Sequence, residues 1–165
     1  MKLLRPMTLT FTFILALPFA AFAQSAAEKA VMKPVDDLFK GMKTGDSALV
    51  HSAFTRKVSF STVGKNKAGK PVLIEDRLED FLKAVGTPHT EQWNELIWDV
   101  EVRIDNDFAQ VYAKYGFYLG KKFSHCGIDA FHLFRGEDGS WKIFTLADTR
   151  QTTGCSVPEK VSSQL

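Results

Sequence analysis

The chain has 165 residues and near-balanced charge, 21 basic against 19 acidic side chains. Lys2 and Arg5 supply the positive excess from the extreme N-terminus, so the remaining chain carries no concentrated positive charge, which excludes nucleic acid or an anionic membrane as its main partner. The two cysteines, Cys126 and Cys155, form neither a CxxC nor a zinc-type Cys/His spacing.

In chain order, Lys2 and Arg5 precede the apolar run Leu9 to Phe19, and Ala21-Phe22-Ala23 makes a small-x-small cleavage site. Residues 1–23 therefore read as a secretory signal peptide, with a retained anchor as the alternative, and the mature protein is expected to be periplasmic or secreted. No later run approaches the ~20 apolar residues of a membrane span, so no membrane contact is expected after cleavage. Residues 24–155 read as one domain and 156–165 as a flexible tail. An exported chain matures where disulfides persist. A Cys126–Cys155 bridge is expected, and two unpaired thiols are the alternative that spacing leaves open.

Residues 24–33 look like a soft lead-in. Val31, Val35, Leu38, Phe39 and Met42 then mark one helical face, with Pro34 at its first turn or at a kink. Gly45 can end this helix and Asp46 can cap a second, Ser47 to Phe54. Val58 to Val63 is a strand, GKNKAGK a solvated hairpin tip, and PVLI the return. EDRLEDFLKAVG is a third helix with acidic residues in its first turn.

From Trp93 the period changes to two. Leu96, Trp98, Val100, Val102 and Ile104 form one face of a strand, and Glu95, Asp99, Glu101 and Arg103 the other. The next strand sets Ala109, Val111, Ala113, Tyr115, Phe117 and Leu119 on one side. Two more strands follow, SHCGIDAFHLF and WKIFTLADTR, joined by GEDG. Long strands with short polar turns make an antiparallel meander. The fold class is α+β, three N-terminal helices packed on a strongly curved antiparallel sheet to give a cone-shaped α+β barrel with a hollow centre.

LFKGMKTGD, LEDFLKAVG and the pair GIDAFHLF…GSWKIFTLADTR, in this order, resemble the nuclear-transport-factor-2-like superfamily, in particular its exported lumazine-binding-like and polyketide-cyclase-like members. The resemblance implies a cone-shaped barrel with a pocket between sheet and helices, often a dimer, and functions that range over isomerases, dehydratases and cyclases.

A four-residue GEDG loop pairs Arg135 with Ser140. His125 then faces Arg150, Gly127 faces Asp148, Asp129 faces Leu146 and Phe131 faces Phe144. His125, Asp129, Phe131, Leu133, Phe144, Leu146, Asp148 and Arg150 share one face. Cys126, Ile128, Ala130, His132, Ile143, Thr145 and Ala147 share the other. Both faces are apolar enough to line a core. IDAFHLF is similar to the Asp-x-Phe-x-Phe strand of ketosteroid isomerases, which implies that Asp129 faces the cavity and bonds a ligand oxygen. The tyrosine and the base of that pattern fall near Leu38 and near Phe60 or Ser61, so steroid-type isomerisation is not expected.

The candidate ligand-binding set is Asp129, His125, Phe131, Asp148 and Arg150, with Trp93, Trp98 and Tyr115 as aromatic walls. Ordinary ion pairs at a barrel mouth are the plainer alternative. His132 belongs to the opposite face, and His51 and His89 to the surface. The sequence contains no G-x-S-x-G, phosphate loop or H-E-x-x-H. His125 and Asp129, four apart on a strand, are a poor start for a metal, so no metal and no cofactor are expected. Three readings follow: an exported binder of a small apolar or planar molecule, a lyase- or isomerase-type enzyme with Asp129 and His125 as acid and base, and a homodimeric interaction module with a filled core.

Overall fold

The computed structural model describes residues 25–165, so segment 1–23, expected to be a signal peptide, lies outside the described residues. The first helix, α1 (Ala26–Thr44), starts earlier than its apolar face implies. Ser25 and Glu28 form a capping box, each side chain bonding the other's backbone N–H, and this turns the expected lead-in into helix. Pro34 lies inside α1, and Val31, Val35, Leu38 and Met42 are its buried stripe. Gly45 ends it with φ 70°, a left-handed conformation that glycine adopts without steric cost. Asp46 then caps α2 (Ser47–Ala53) by accepting from Leu49 N.

Strand β1 (Phe54–Lys65) and strand β2 (Pro71–Asp76) form a hairpin whose Asn66 side chain closes the tip. Helix α3 (Leu78–Gly86) follows, with Glu79 and Asp80 in its first turn. Strands β3 (Trp93–Asp105), β4 (Phe108–Leu119), β5 (Lys122–Arg135) and β6 (Trp141–Thr149) make the expected meander. The six strands run in the order β2-β1-β6-β5-β4-β3. One pairing departs from the antiparallel expectation: β1 runs parallel to β6, because α3 and the whole meander separate them in sequence. The sheet is thus mostly antiparallel, and α1 packs into it against β3 and β6.

Two bulges re-phase the strands. The first inserts an extra residue between Trp98 and Glu101, where Asp99 takes φ 49°. Before it Trp93, Glu95 and Ile97 face inward, and after it Val102 does. The expectation of one apolar face from Leu96 to Ile104 is therefore corrected. Trp98 lies on the outer side, where it approaches Gly116. The second bulge is Phe144. Asp129 pairs with Asp148 and Phe131 with Leu146, two residues from the expected register, and His132 pairs with Thr145 but Leu133 with Ile143. A two-residue offset keeps faces unchanged, so His125, Asp129, Phe131, Asp148 and Arg150 do share one face. Leu133 and Leu146 also keep their inward side, and the bulge exchanges only Ile143, which is fully buried in the core, and Phe144, which lies outside beside His132 and Phe108.

Cys126 and Cys155 form a disulfide on the outer side of the sheet. Beyond it the chain, expected to be loose, forms a short helix, α4 (Glu159–Ser162), which packs on β3 and buries Val161. The bridge spans 29 residues of sequence, a closure worth about 2–4 kcal/mol through the unfolded chain. Cys155→Ser is expected to lower the urea midpoint accordingly, and an unchanged midpoint would show that the tail holds without its staple.

Candidate functional site

The centre of the cone is a cavity of about 410 Å³. Its deep wall is apolar: Leu38, Phe39 and Met42 from α1, Phe60 from β1, Phe81 from α3, and Trp93, Phe117 and Phe131 from the meander. The rings interlock edge to face, Phe60 on Phe81 at 5.2 Å and Trp93 on Phe117 at 6.0 Å between centroids. Asp76, Arg77, Asp80 and Arg150 also line it. Volume and lining are those of a small-molecule site.

A polar row crosses the inner sheet face. Ala113, Asp129, Asp148 and Thr62 are successive cross-strand partners on β4, β5, β6 and β1. Asp148 is 7 % exposed and has three donors: the Thr62 hydroxyl, the Tyr115 hydroxyl at 3.3 Å and the Arg150 guanidinium at 3.4 Å. Tyr115 is 1 % exposed, and its single hydroxyl proton is shared between Asp148 and the nearer Thr149 carbonyl at 3.0 Å. Burial and three neighbouring carboxyls raise its pKa, so it remains a donor. Gly127, the cross-strand partner of Tyr115, makes room for that carbonyl.

Asp129 is different. It is 3 % exposed, and its Oδ2 is buried without a hydrogen-bond partner among the described residues when it is counted as a carboxylate. The group within hydrogen-bonding reach is another carboxyl, Glu95 of β3. Two ionised carboxylates cannot bond each other, so the pair needs a proton between them. Burial, and then the Glu95 charge, raise the Asp129 pKa well above the ordinary range. Burial raises Glu95 to about 7. Both shifts run upward, so the pair holds on to a proton that two isolated carboxyls would release.

His125 lines the same cavity but bonds Ser124 at 2.9 Å and lies against Phe117, with ring centroids 4.9 Å apart. Burial and then Arg150 lower its pKa to about 4, so it is neutral at pH 7. The structure therefore brings together Asp129, Asp148, Arg150, Tyr115, His125, Phe131 and Trp93, and leaves out Trp98. Glu95 is the residue the sequence reading missed. Alternation counted back from Val102 puts it outside, and only the Asp99 bulge puts it inside. Of Leu38, Phe60 and Ser61, near which the sequence pattern put the tyrosine and base of an isomerase, Leu38 and Phe60 line the cavity and both are apolar.

Residues 26–146 match the family described as "Putative lumazine-binding". The chain belongs to that family. No curated protein matches it in sequence. Among solved structures, this lumazine-binding-like chain is similar to a nuclear-transport-factor-2-like protein of unknown function from Shewanella baltica, with 16 % identity, a TM-score of 0.57, and coverage of 79 % of this chain and 100 % of the other. It is also similar to a cystatin-like-fold protein of unknown function from Nostoc punctiforme, with 9 % identity, a TM-score of 0.60, and coverage of 78 % and 95 %. A "putative scytalone dehydratase" from Novosphingobium aromaticivorans aligns at 11 % identity with a TM-score of 0.60, over 80 % of this chain and 89 % of that one. At these identities the likeness establishes the fold: a nuclear-transport-factor-2-like cone.

Proposed function

We propose that this protein is exported and binds a small, planar, largely apolar molecule whose acceptor oxygen is held by a proton of the Glu95–Asp129 pair. The observation that carries the reading is the buried Asp129 carboxyl at the aromatic cavity, with a second carboxyl as its neighbour. A carboxylic acid held neutral in an apolar pocket is a strong donor to a carbonyl. The ring-lined walls supply area, and the donor supplies orientation. The disulfide supports maturation in an oxidising compartment, and the family description supports a heterocyclic dione such as lumazine as one probe.

The test is calorimetric titration with 1-tetralone and with tetralin, which has the same shape without the oxygen, alongside lumazine. Tetralone is expected to bind about tenfold more tightly than tetralin, and Asp129→Ala to abolish that difference, since a hydrogen bond to a buried donor is worth about 1–2 kcal/mol. Equal affinity for the two bicyclic probes, or no binding of any of the three, would sink the reading.

A lyase- or isomerase-type activity is the second reading, favoured by one observation. The Glu95–Asp129 pair sets two carboxyls side by side at the cavity, both with raised pKa values, an arrangement suited to passing a proton. Its acid/base partner for Asp129 is Glu95 rather than His125. Exchange of the α-hydrogens of 1-tetralone in deuterium oxide, followed by NMR, tests it. Exchange no faster than in buffer alone leaves binding as the sole role.

A further inference from the structure

We propose that Glu95 is the specificity-determining residue of the cavity: occupancy draws a proton onto the Glu95–Asp129 pair, so the site takes uncharged ligands and loses affinity as the pH rises. This rests on the binding reading above and deepens it. Asp129 is almost fully buried already and has no water left to lose. Glu95 is only half-buried, and it lines the cavity. A ligand in that space removes solvent from Glu95.

The surroundings offer the ionised form little in exchange. From β5 Glu95 meets Asp129, with the neutral His125 ring lining the same cavity, and from β4 it lies near Tyr115. From β6 it meets Asp148, and from the residue just past β6, Arg150. The rim adds Asp76, Arg77 and Asp80, and α1 contributes only Leu38, Phe39 and Met42 to the lining. Of the two cations, Arg150 is half exposed and bonded to Asp148, and Arg77 is paired with Glu79 outside. A desolvated carboxylate without a cation of its own takes up a proton. The same carboxyls disfavour a ligand that brings a further negative charge.

The experiment is titration of the mature protein with 1-tetralone at pH 6 and pH 8, each in two buffers of different ionisation enthalpy, with 2-naphthoate as the anionic probe. The expected result at pH 8 is a buffer-dependent heat that corresponds to uptake of close to one proton, shrinking at pH 6. Kd rises by up to about tenfold per pH unit above pH 7. Naphthoate binds at least about tenfold more weakly than tetralone. Glu95→Gln is expected to give buffer-independent heats and a flat Kd from pH 6 to 8. Tetralone binding without proton uptake in the wild type overturns this inference and leaves the binding reading intact. Uptake that persists in Glu95→Gln overturns the assignment to Glu95. No tetralone binding at either pH overturns the binding reading, and this inference with it.

Discussion

Glu95→Gln is expected to raise the melting temperature by about 5–10 °C at pH 8 and to leave it unchanged at pH 4. Burial in the cone, with help from the Asp148 charge, raises the folded-state pKa of Glu95 to about 7, against 4.5 for an ordinary glutamate, although the Asp129 hydrogen bond and the Arg150 charge pull it down. Below the unfolded value both states hold the proton and Glu95 costs nothing. Between the two values the unfolded chain releases its proton while the folded protein keeps it, and stability falls by about 1.4 kcal/mol per pH unit. Above about 7 the loss is complete, at roughly 3–3.5 kcal/mol. The burial-raised Asp129 adds a loss of the same sign. Glutamine keeps the size and the hydrogen-bonding ends but not the charge, so it recovers the Glu95 share. Calorimetric melts at pH 4, 6 and 8 decide it. A gain that does not grow with pH would mean that Glu95 is solvated well enough to ionise freely. A carboxyl that weakens the fold at neutral pH makes sense as a group held for a ligand, the usual reason a local rule is broken in a folded core.

The sequence was legible where a regular period meets a clear terminator. The α1 stripe, the Gly45 stop and the Asp46 cap follow from side-chain chemistry within a few residues of one another. The face shared by Asp129, Asp148 and Arg150 also came through, because strand alternation survives an even offset in register. What could not be read is what bulges control. An extra residue at Asp99 turns Glu95 inward and Trp98 outward, and Phe144 turns Ile143 inward. Neither site carries a glycine or proline to announce it. The S-x-x-E spacing of Ser25 and Glu28 does state a capping box, although the apolar stripe begins only at Val31, two turns later. The parallel pairing of β1 with β6 is a long-range choice that no local pattern states.

Gly127→Ala is expected to lower stability by about 3 kcal/mol or more, a fall of roughly 10 °C in melting temperature. A Cβ at this position would stand 1.8 Å from the Thr149 carbonyl oxygen and 2.7 Å from its carbon, far inside contact distance. The obstacle is backbone, and it is held from several sides. The Thr149 carbonyl accepts from Tyr115, the Thr149 hydroxyl accepts from Ile128 N at 3.0 Å, and Gln151 is bridged in both directions to Cys126. Cys126 is in turn tied to Cys155. Relief therefore means breaking the Tyr115 bond and carrying Arg150 away from Asp148, since Arg150 follows Thr149 directly. Gly64→Ala on β1 is the control, because nothing lies within 4 Å of its Cβ, and it is expected to stay within about 1 kcal/mol of the wild type. Thermal melts of the two variants side by side separate a general cost of alanine in this sheet from the steric one at Gly127. A Gly127→Ala protein that melts with the wild type would mean that β6 can retreat freely from β5 at this point. Tyr115 and Asp148 would then be held by the cavity itself rather than by the close approach of two backbones.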